Sequence, residues 1–195
     1  MRPGPGADTS VRVLTVANQL TFLRILLIPL FALLVLYSYP GSALIVFIVA
    51  GVTDALDGLI ARRAHQRTSL GAWLDPMADK LLLATAFIML TIPGMDLTNH
   101  VPLWLTMLIL SRDVVIVGVV AIVNLAIEHR TFRPSIWGKA ATATYITTAV
   151  VFMFFNYRHT HSVLVDVVVW LSLVLTAASS LDYFLKMRKF INEGH

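Results

Sequence analysis

The sequence predicts an all-α, polytopic membrane protein with six transmembrane helices, on three observations. Its 195 residues are 57% hydrophobic and only 13% charged, with a mean hydropathy of +0.79, far from the balance of a soluble domain. Apolar runs of about 20 residues, the length that crosses the hydrocarbon core of a bilayer, recur six times. The basic residues fall almost entirely on one side of the zigzag these runs would make.

The runs cover 20–37, 42–61, 71–92, 101–127, 136–155 and 163–185. Turn formers and charges separate them at 39–41, 62–69, 93–94, 128–134 and 156–161. No connection is long enough to separate domains, so 11–195 reads as one six-helix membrane domain behind a disordered N-terminus at 1–10. Residues 11–18 are apolar around a single arginine and read as a short interfacial helix. The first run reads as a retained helix, because Arg24 interrupts it and no convincing small-residue cleavage site follows.

Charge then orients the bundle. Arg2, Arg12, Arg62, Arg63, Arg67, Arg130, Arg133, Lys186, Arg188 and Lys189 share one side of a six-span path, with Arg158 in a loop on the other. The positive-inside rule places both termini and the 62–69 loop in the cytoplasm, with the cell inner membrane as the expected location. The net charge of +4 therefore reflects topology and anionic lipid head groups, and nucleic acid is not an expected partner. The absence of cysteine excludes disulfides and thiolate chemistry.

Four aspartates, Asp54, Asp57, Asp75 and Asp79, interrupt runs two and three. Each unpaired carboxylate in hydrocarbon costs about 2.5 to 3.5 kcal/mol on insertion scales, so a cluster demands compensating charge. Folding the two runs back around the 62–69 loop pairs Arg62 with Gly71, Gly58 with Asp75 and Asp54 with Asp79. At a rise of about 1.5 Å per residue the acids lie about 6 to 12 Å below the cytoplasmic helix ends. Asp54, Gly58 and Ala61 form one stripe with Asp57 beside it, and Gly71, Asp75 and Asp79 form another, so both can face one cavity. Hard oxygen ligands without cysteine or intramembrane histidine suit Mg²⁺, Mn²⁺ or Ca²⁺ better than zinc. Two ions about 3.5 to 4 Å apart would suit a phosphoryl reaction. By themselves Gly58, Ala61 and Gly71 read as helix packing; beside the carboxylates they read as a surface that a flat ligand can approach.

The spacing D-x-x-D-G-x-x-A-R, eight residues, then G-x-x-x-D-x-x-x-D resembles the signature of the CDP-alcohol phosphotransferase (CDP-alcohol phosphatidyltransferase) family. Asp54, Asp57, Gly58, Ala61, Arg62, Gly71, Asp75 and Asp79 fill every fixed position. Asn18-Gln19-Leu20-Thr21 and Arg24 resemble the family's N-terminal N-x-L-T-x-x-R segment, so the likeness covers nearly the whole chain. The resemblance implies a homodimeric, six-helix membrane enzyme that transfers a phosphoalcohol from a CDP-linked donor to a hydroxyl and releases CMP. It further implies a divalent cation, Mg²⁺ or Mn²⁺ and two ions in number, on Asp54, Asp57, Asp75 and Asp79, with Asp79 also the general base. Gly58, Ala61 and Gly71 would lie near the cytidine, and Arg62 near the nucleotide end.

The remaining intramembrane polar residues bear on the acceptor. Arg112 and Asp113 sit mid-span in helix four, and Lys139 opens helix five with Thr142 one turn on. One reading makes Arg112 and Asp113 an internal charge compensation; the other makes Arg112 and Lys139 binders of an acceptor phosphate. The nearest branch resembles phosphatidylglycerophosphate synthase and eukaryote-type cardiolipin synthase. A G-x-K-x-K-T-like stretch is expected in the former, and the second lysine is missing from Gly138-Lys139-Ala140-Ala141-Thr142. That absence, with Ser111-Arg112-Asp113, favours phosphatidylglycerol over glycerol 3-phosphate as the acceptor of a phosphatidyl group from CDP-diacylglycerol. The alternative from another class is a divalent-cation or proton-coupled transporter, since intramembrane carboxylates also mark ion pathways. The histidines, all in loops or at the terminus, read as solvated, and Asp166 and Asp182 as exposed or hydrogen-bonded between helices. Lys80 reads as pairing with a carboxylate other than its neighbour Asp79, or as snorkelling.

Overall fold

The computed structural model describes the backbone over residues 16–64, 69–126 and 135–193, and side chains over 19–54, 77–118 and 135–186 with Arg188. Six helices follow one another among the described residues: α1 Val16–Leu36, α2 Pro40–Ala64, α3 Ser69–Thr91, α4 Leu103–Ala126, α5 Ile136–Tyr157 and α6 Val163–Glu193. Each covers one apolar run, and the fold is all-α.

The ends differ where hydropathy and helix propensity diverge. α2 continues through Arg62 and Arg63 to Ala64, and α6 runs eight residues past its apolar stretch to Glu193. Arginine, alanine and lysine are strong helix formers, so the helix outlasts the hydrocarbon-like segment. Residues 16–18, expected in a separate interfacial helix, form the first turn of α1; the rest of that segment and the expected disordered N-terminus lie outside the described residues.

Among the described residues three stretches are long and apolar enough to cross a membrane: Gln19–Leu36 in α1, all of α5, and Val163–Lys186 in α6. In α2 the described side chains form the apolar stretch Pro40–Asp54. α3 and α4 each extend beyond their described side chains. The described structure fits a multi-pass integral membrane protein, with three such helices where the sequence suggests six.

Two turns at one end of the bundle have the same construction. Past α1, Tyr39 N–H reaches Leu34 C=O at 2.8 Å and Ser38 N–H reaches Val35 C=O at 3.0 Å. Past α5, Thr160 N–H reaches Phe155 C=O and His159 N–H reaches Asn156 C=O, both at 3.1 Å. This is the Schellman arrangement, which satisfies the last helical carbonyls and needs a left-handed residue after the cap. Ser38 (φ 59°) and His159 (φ 48°) take that position.

The bundle has an apolar core crossed by buried polar side chains, and its outer surface is also rich in large apolar side chains. α1 packs on α2 and α3, α2 and α3 on α5, α5 on α6, and α4 on α3 and α6. The core holds Phe31, Phe47, Phe87, Tyr145 and Phe152, interleaved with Ala43, Ala50, Ala86, Ala141 and Ala149. Those alanines let the helix backbones approach closely, the packing mode that works where lipid offers no hydrophobic drive. Hydroxyl pairs join neighbouring helices: Thr91 with Thr106 at 2.6 Å, Thr148 with Ser172 at 2.8 Å, and Tyr145 with Thr176 at 2.7 Å. Large apolar side chains such as Leu26, Val114, Trp170 and Val174 point outward.

At the end carrying the two Schellman turns, a polar network staples the α3–α4 connection to the α5–α6 connection. Buried Asn156 accepts from Asn99 N–H at 2.7 Å and donates to Asn99 C=O at 3.0 Å. The Asn99 amide donates to Thr160 C=O at 2.9 Å, which turns its oxygen to His161 Nδ1 at 2.6 Å. His161 Nε2 meets Asp166 at 3.2 Å. Asp166 is thus an exposed partner of a loop histidine.

Candidate active site

Three helices converge on one guanidinium. Arg24 of α1 is fully buried and contacts Asp54 of α2 through Nη2 at 3.0 Å and Asp79 of α3 through Nη1 at 2.8 Å. A charge this deep in an apolar helix is retained where it meets opposite charge, and the planar fork of arginine suits it to two carboxylates at once. Buried Thr21 lies one turn before it on α1.

Asp54 lies ten residues before the end of α2 at Ala64, and Asp79 ten residues after the start of α3 at Ser69. The first and last acids of the motif therefore share a depth of about 15 Å from the helix ends. This is deeper than the about 6 to 12 Å read from hydropathy, because both helices extend past their apolar runs. Arg24 lies between α2 and α3, where the hairpin reading paired their faces directly. Asp57, Gly58, Ala61 and Arg62 lie on α2, and Gly71 and Asp75 on α3; their side chains are outside the described residues. Among the described residues no three carboxylates or histidines gather.

Next to Asp79 on α3, Lys80 faces a second site. Its Nζ contacts Asp113 Oδ2 at 3.0 Å, while Arg112 Nη1 contacts Asp113 Oδ1 at 2.6 Å. Lys80 thus pairs with a carboxylate on another helix, and the internal compensation of Arg112 by Asp113 is present. Arg112 Nη2 donates to Ser179 of α6 at 2.6 Å. Gly138 packs beside this guanidinium: a Cβ there would come within van der Waals contact, 3.4 Å, of Arg112 Nη2.

Lys80, Arg112, Ser135, Gly138, Lys139, Thr142 and Tyr183 line an open cleft of about 460 Å³ between α3, α4, α5 and α6. Lys139 is exposed there and makes no ion pair among the described residues. Thr142 bonds back to Gly138 C=O at 3.1 Å and leaves its hydroxyl proton within the helix. At the rim the Ser135 hydroxyl donates to Asp182, which also holds Lys186 at 2.8 Å. Asp182 is thereby the helix-to-helix hydrogen-bond acceptor that joins the start of α5 to α6.

Arg24 is the residue that sequence reasoning left without a role at this site. Its signal was present: a lone arginine in an apolar run of membrane length, inside N-x-L-T-x-x-R.

Comparison with known proteins is consistent along the chain. It is 32% identical over 178 residues to a probable phosphatidylglycerophosphate synthase of Mycobacterium tuberculosis, covering 88% of this chain and 81% of the relative. It is 40% identical over 139 residues to a CMP-forming cardiolipin synthase of Streptomyces coelicolor, covering 67% and 61%. With the human CMP-forming cardiolipin synthase the identity is 32% over 196 residues, covering 91% of this chain and 63% of the relative. The sequence pattern of the CDP-alcohol phosphatidyltransferases matches residues 14–178, a stretch that holds Arg24, the four aspartates and most of the cationic cleft. The chain is an enzyme of phosphatidyl-transfer chemistry and belongs to the CDP-alcohol phosphatidyltransferase family.

Proposed function

We propose that this enzyme transfers a phosphatidyl group from CDP-diacylglycerol to the hydroxyl of phosphatidylglycerol, releasing CMP, with glycerol 3-phosphate the less favoured acceptor. The observation that carries the reading is the junction of two sites on consecutive residues of α3. Asp79 meets Arg24 and Asp54, while Lys80 belongs to a cleft lined by Arg112 and Lys139. A reaction centre and a phosphate-binding surface can thus serve one substrate pair.

The donor set fits a hard divalent cation: Asp54 and Asp79 supply oxygen ligands, and their side chains remain 39% and 42% exposed beside a buried arginine. Asp54, Asp57, Asp75 and Asp79 would hold two ions, Mg²⁺ or Mn²⁺. When bound, these would neutralise the pyrophosphate and stabilise the departing CMP. The chain's own groups do the rest. Asp79 takes the proton of the attacking hydroxyl, the new oxygen–phosphorus bond forms, and the bond to CMP breaks. Arg24 fixes the carboxylates of Asp54 and Asp79 at one level. Gly58, Ala61 and Gly71 leave backbone open to the cytidine, and Arg62 lies toward the nucleotide end. Arg112 and Lys139 hold the acceptor's phosphate.

A six-span bundle with both termini and the site on the cytoplasmic side of the inner membrane, working as a homodimer, completes the proposal. Such placement leaves the nucleotide in water and the acyl chains in lipid. The transporter reading is set aside by membership in a family of enzymes. Phosphatidylglycerol is favoured because Gly138-Lys139-Ala140-Ala141-Thr142 carries one lysine where a doubly charged glycerol 3-phosphate head would be matched by two.

The test is kinetic. Arg112→Ala and Lys139→Ala should each raise the acceptor Michaelis constant roughly tenfold or more with little change in that of CDP-diacylglycerol. That is the expected loss of a charged hydrogen bond worth about 1.5 to 3 kcal/mol. Phosphatidylglycerophosphate as the sole product of the native enzyme would reverse the acceptor preference. A product from myo-inositol phosphate alone would overturn the glycerophospholipid assignment.

A further inference from the structure

We propose that Asp113 is a specificity-determining residue that sets the net charge of the acceptor cleft and so selects acceptors by the charge on their phosphate. The inference rests on the reading of this cleft as the acceptor site and adds to it a residue that does not touch the acceptor.

The geometry singles Asp113 out. Each of its carboxylate oxygens is taken by a different cation of the cleft wall, Oδ2 by Lys80 at 3.0 Å and Oδ1 by Arg112 at 2.6 Å. Asp113 itself does not line the cleft. Its side chain is 21% exposed and that of Arg112 8%, so solvent and salt screen this pair less than they would a surface pair, while Lys80, 38% exposed, is screened more. Lys139, on the facing helix, is left with its full charge. Three cations and one carboxylate give the cleft a formal charge of 3 − 1 = +2 from Lys80, Arg112, Lys139 and Asp113. The other carboxylate nearby, Asp182 at the rim, is matched by Lys186 at 2.8 Å. Among the described residues Tyr183 also lines the cleft, and the buried Tyr145 lies within electrostatic reach of Arg112 and Asp113.

Electrostatic energy scales with the product of charges, so Asp113 opposes a phosphate dianion about twice as strongly as a phosphodiester monoanion. A phosphomonoester approaches two negative charges above its second pKa of about 6, whereas a phosphodiester keeps one. Asp113 therefore narrows the advantage that bare cations would give to a phosphomonoester, and tilts the cleft toward a diester head group. Were Asp113 only a brace for Arg112, its loss would weaken both kinds of acceptor alike.

The experiment uses the full chain in detergent–lipid micelles with CDP-diacylglycerol. It measures binding or inhibition constants for two soluble probes, glycerol 3-phosphate and glycerophosphoglycerol, at about pH 7.5 and about pH 5, on either side of the monoester's second ionisation. In Asp113→Asn the ratio of the two constants should move toward glycerol 3-phosphate by about tenfold at the higher pH. That is the size of one added charge product across roughly 10 Å at an effective dielectric of about 25. The shift should shrink at the lower pH, where both probes carry one charge, and Asp113→Glu should keep the native ratio. An equal loss for both probes, or a ratio that ignores pH, overturns the role of Asp113. Lys139→Ala is measured in parallel. If it weakens both probes while the ratio in Asp113→Asn stays native, the cleft stands and the charge-setting role falls. If Lys139→Ala changes neither constant, the acceptor site is elsewhere and the inference falls with it.

Discussion

Replacing Arg24 with leucine removes the guanidinium that joins the first and last aspartates of the motif. Arg24 is fully buried and holds Asp54 at 3.0 Å and Asp79 at 2.8 Å. Removing one partner of a buried ion pair costs about 3 to 5 kcal/mol, because the charge left behind has no compensation. The two carboxylates here are roughly two-fifths exposed, and water recovers part of that cost, so a loss of about 2 to 3 kcal/mol is expected. For a chain of this size that corresponds to a fall of roughly 5 to 10 °C in Tm. Divalent cations should recover more of the loss in Arg24→Leu than they add to the native protein, since the variant keeps both carboxylates and loses the guanidinium that they share. Arg24→Lys should fall between the two, because an ammonium lacks the fork that reaches both acids. Thermal unfolding in detergent, with EDTA and then with excess Mg²⁺, reads both effects. An Arg24→Leu protein that unfolds within about 1 °C of native in EDTA would refute the reasoning, as would a Mg²⁺ response equal to that of the native protein.

Two further outcomes follow from named contacts. Asp79→Asn should leave CDP-donor binding largely intact while transfer falls about 10² to 10⁴-fold, the contribution of a general base; joint loss of donor and metal binding, read by calorimetry, would make Asp79 chiefly a ligand. Asn156→Ala should destabilise the fold by about 2 to 4 kcal/mol without changing acceptor selectivity. It strands buried groups of Asn99 that are bonded at 2.7 and 3.0 Å, and a native melting curve for this variant would contradict it.

The helices were legible because apolar runs of membrane length leave the backbone few choices other than helix. Their ends were less so. Hydropathy stops at Ala61 while α2 runs on to Ala64, since the change from lipid to head group ends the apolar run and not the helix. The shared level of Asp54 and Asp79 followed from counting residues either side of a turn. What counting could not reveal was that α1 brings Arg24 between them, because contact between elements distant in sequence is decided by packing rather than by local pattern. Lys80 with Asp113 and Ser135 with Asp182 are of the same kind: each residue was visible, and its partner, on another helix, was not. The loop histidine His161 was read as solvated, and it is exposed, yet it also bonds Asn99 and Asp166.

The proposed phosphatidyl transfer runs from a CDP-linked lipid on a cluster of aspartates that would hold a divalent cation. Purified protein supplied with CDP-diacylglycerol, Mg²⁺ or Mn²⁺ and radiolabelled phosphatidylglycerol should form one labelled cardiolipin for each CMP released, and excess EDTA should abolish both. Release of CMP without a labelled lipid product, or full activity in EDTA, would contradict the account.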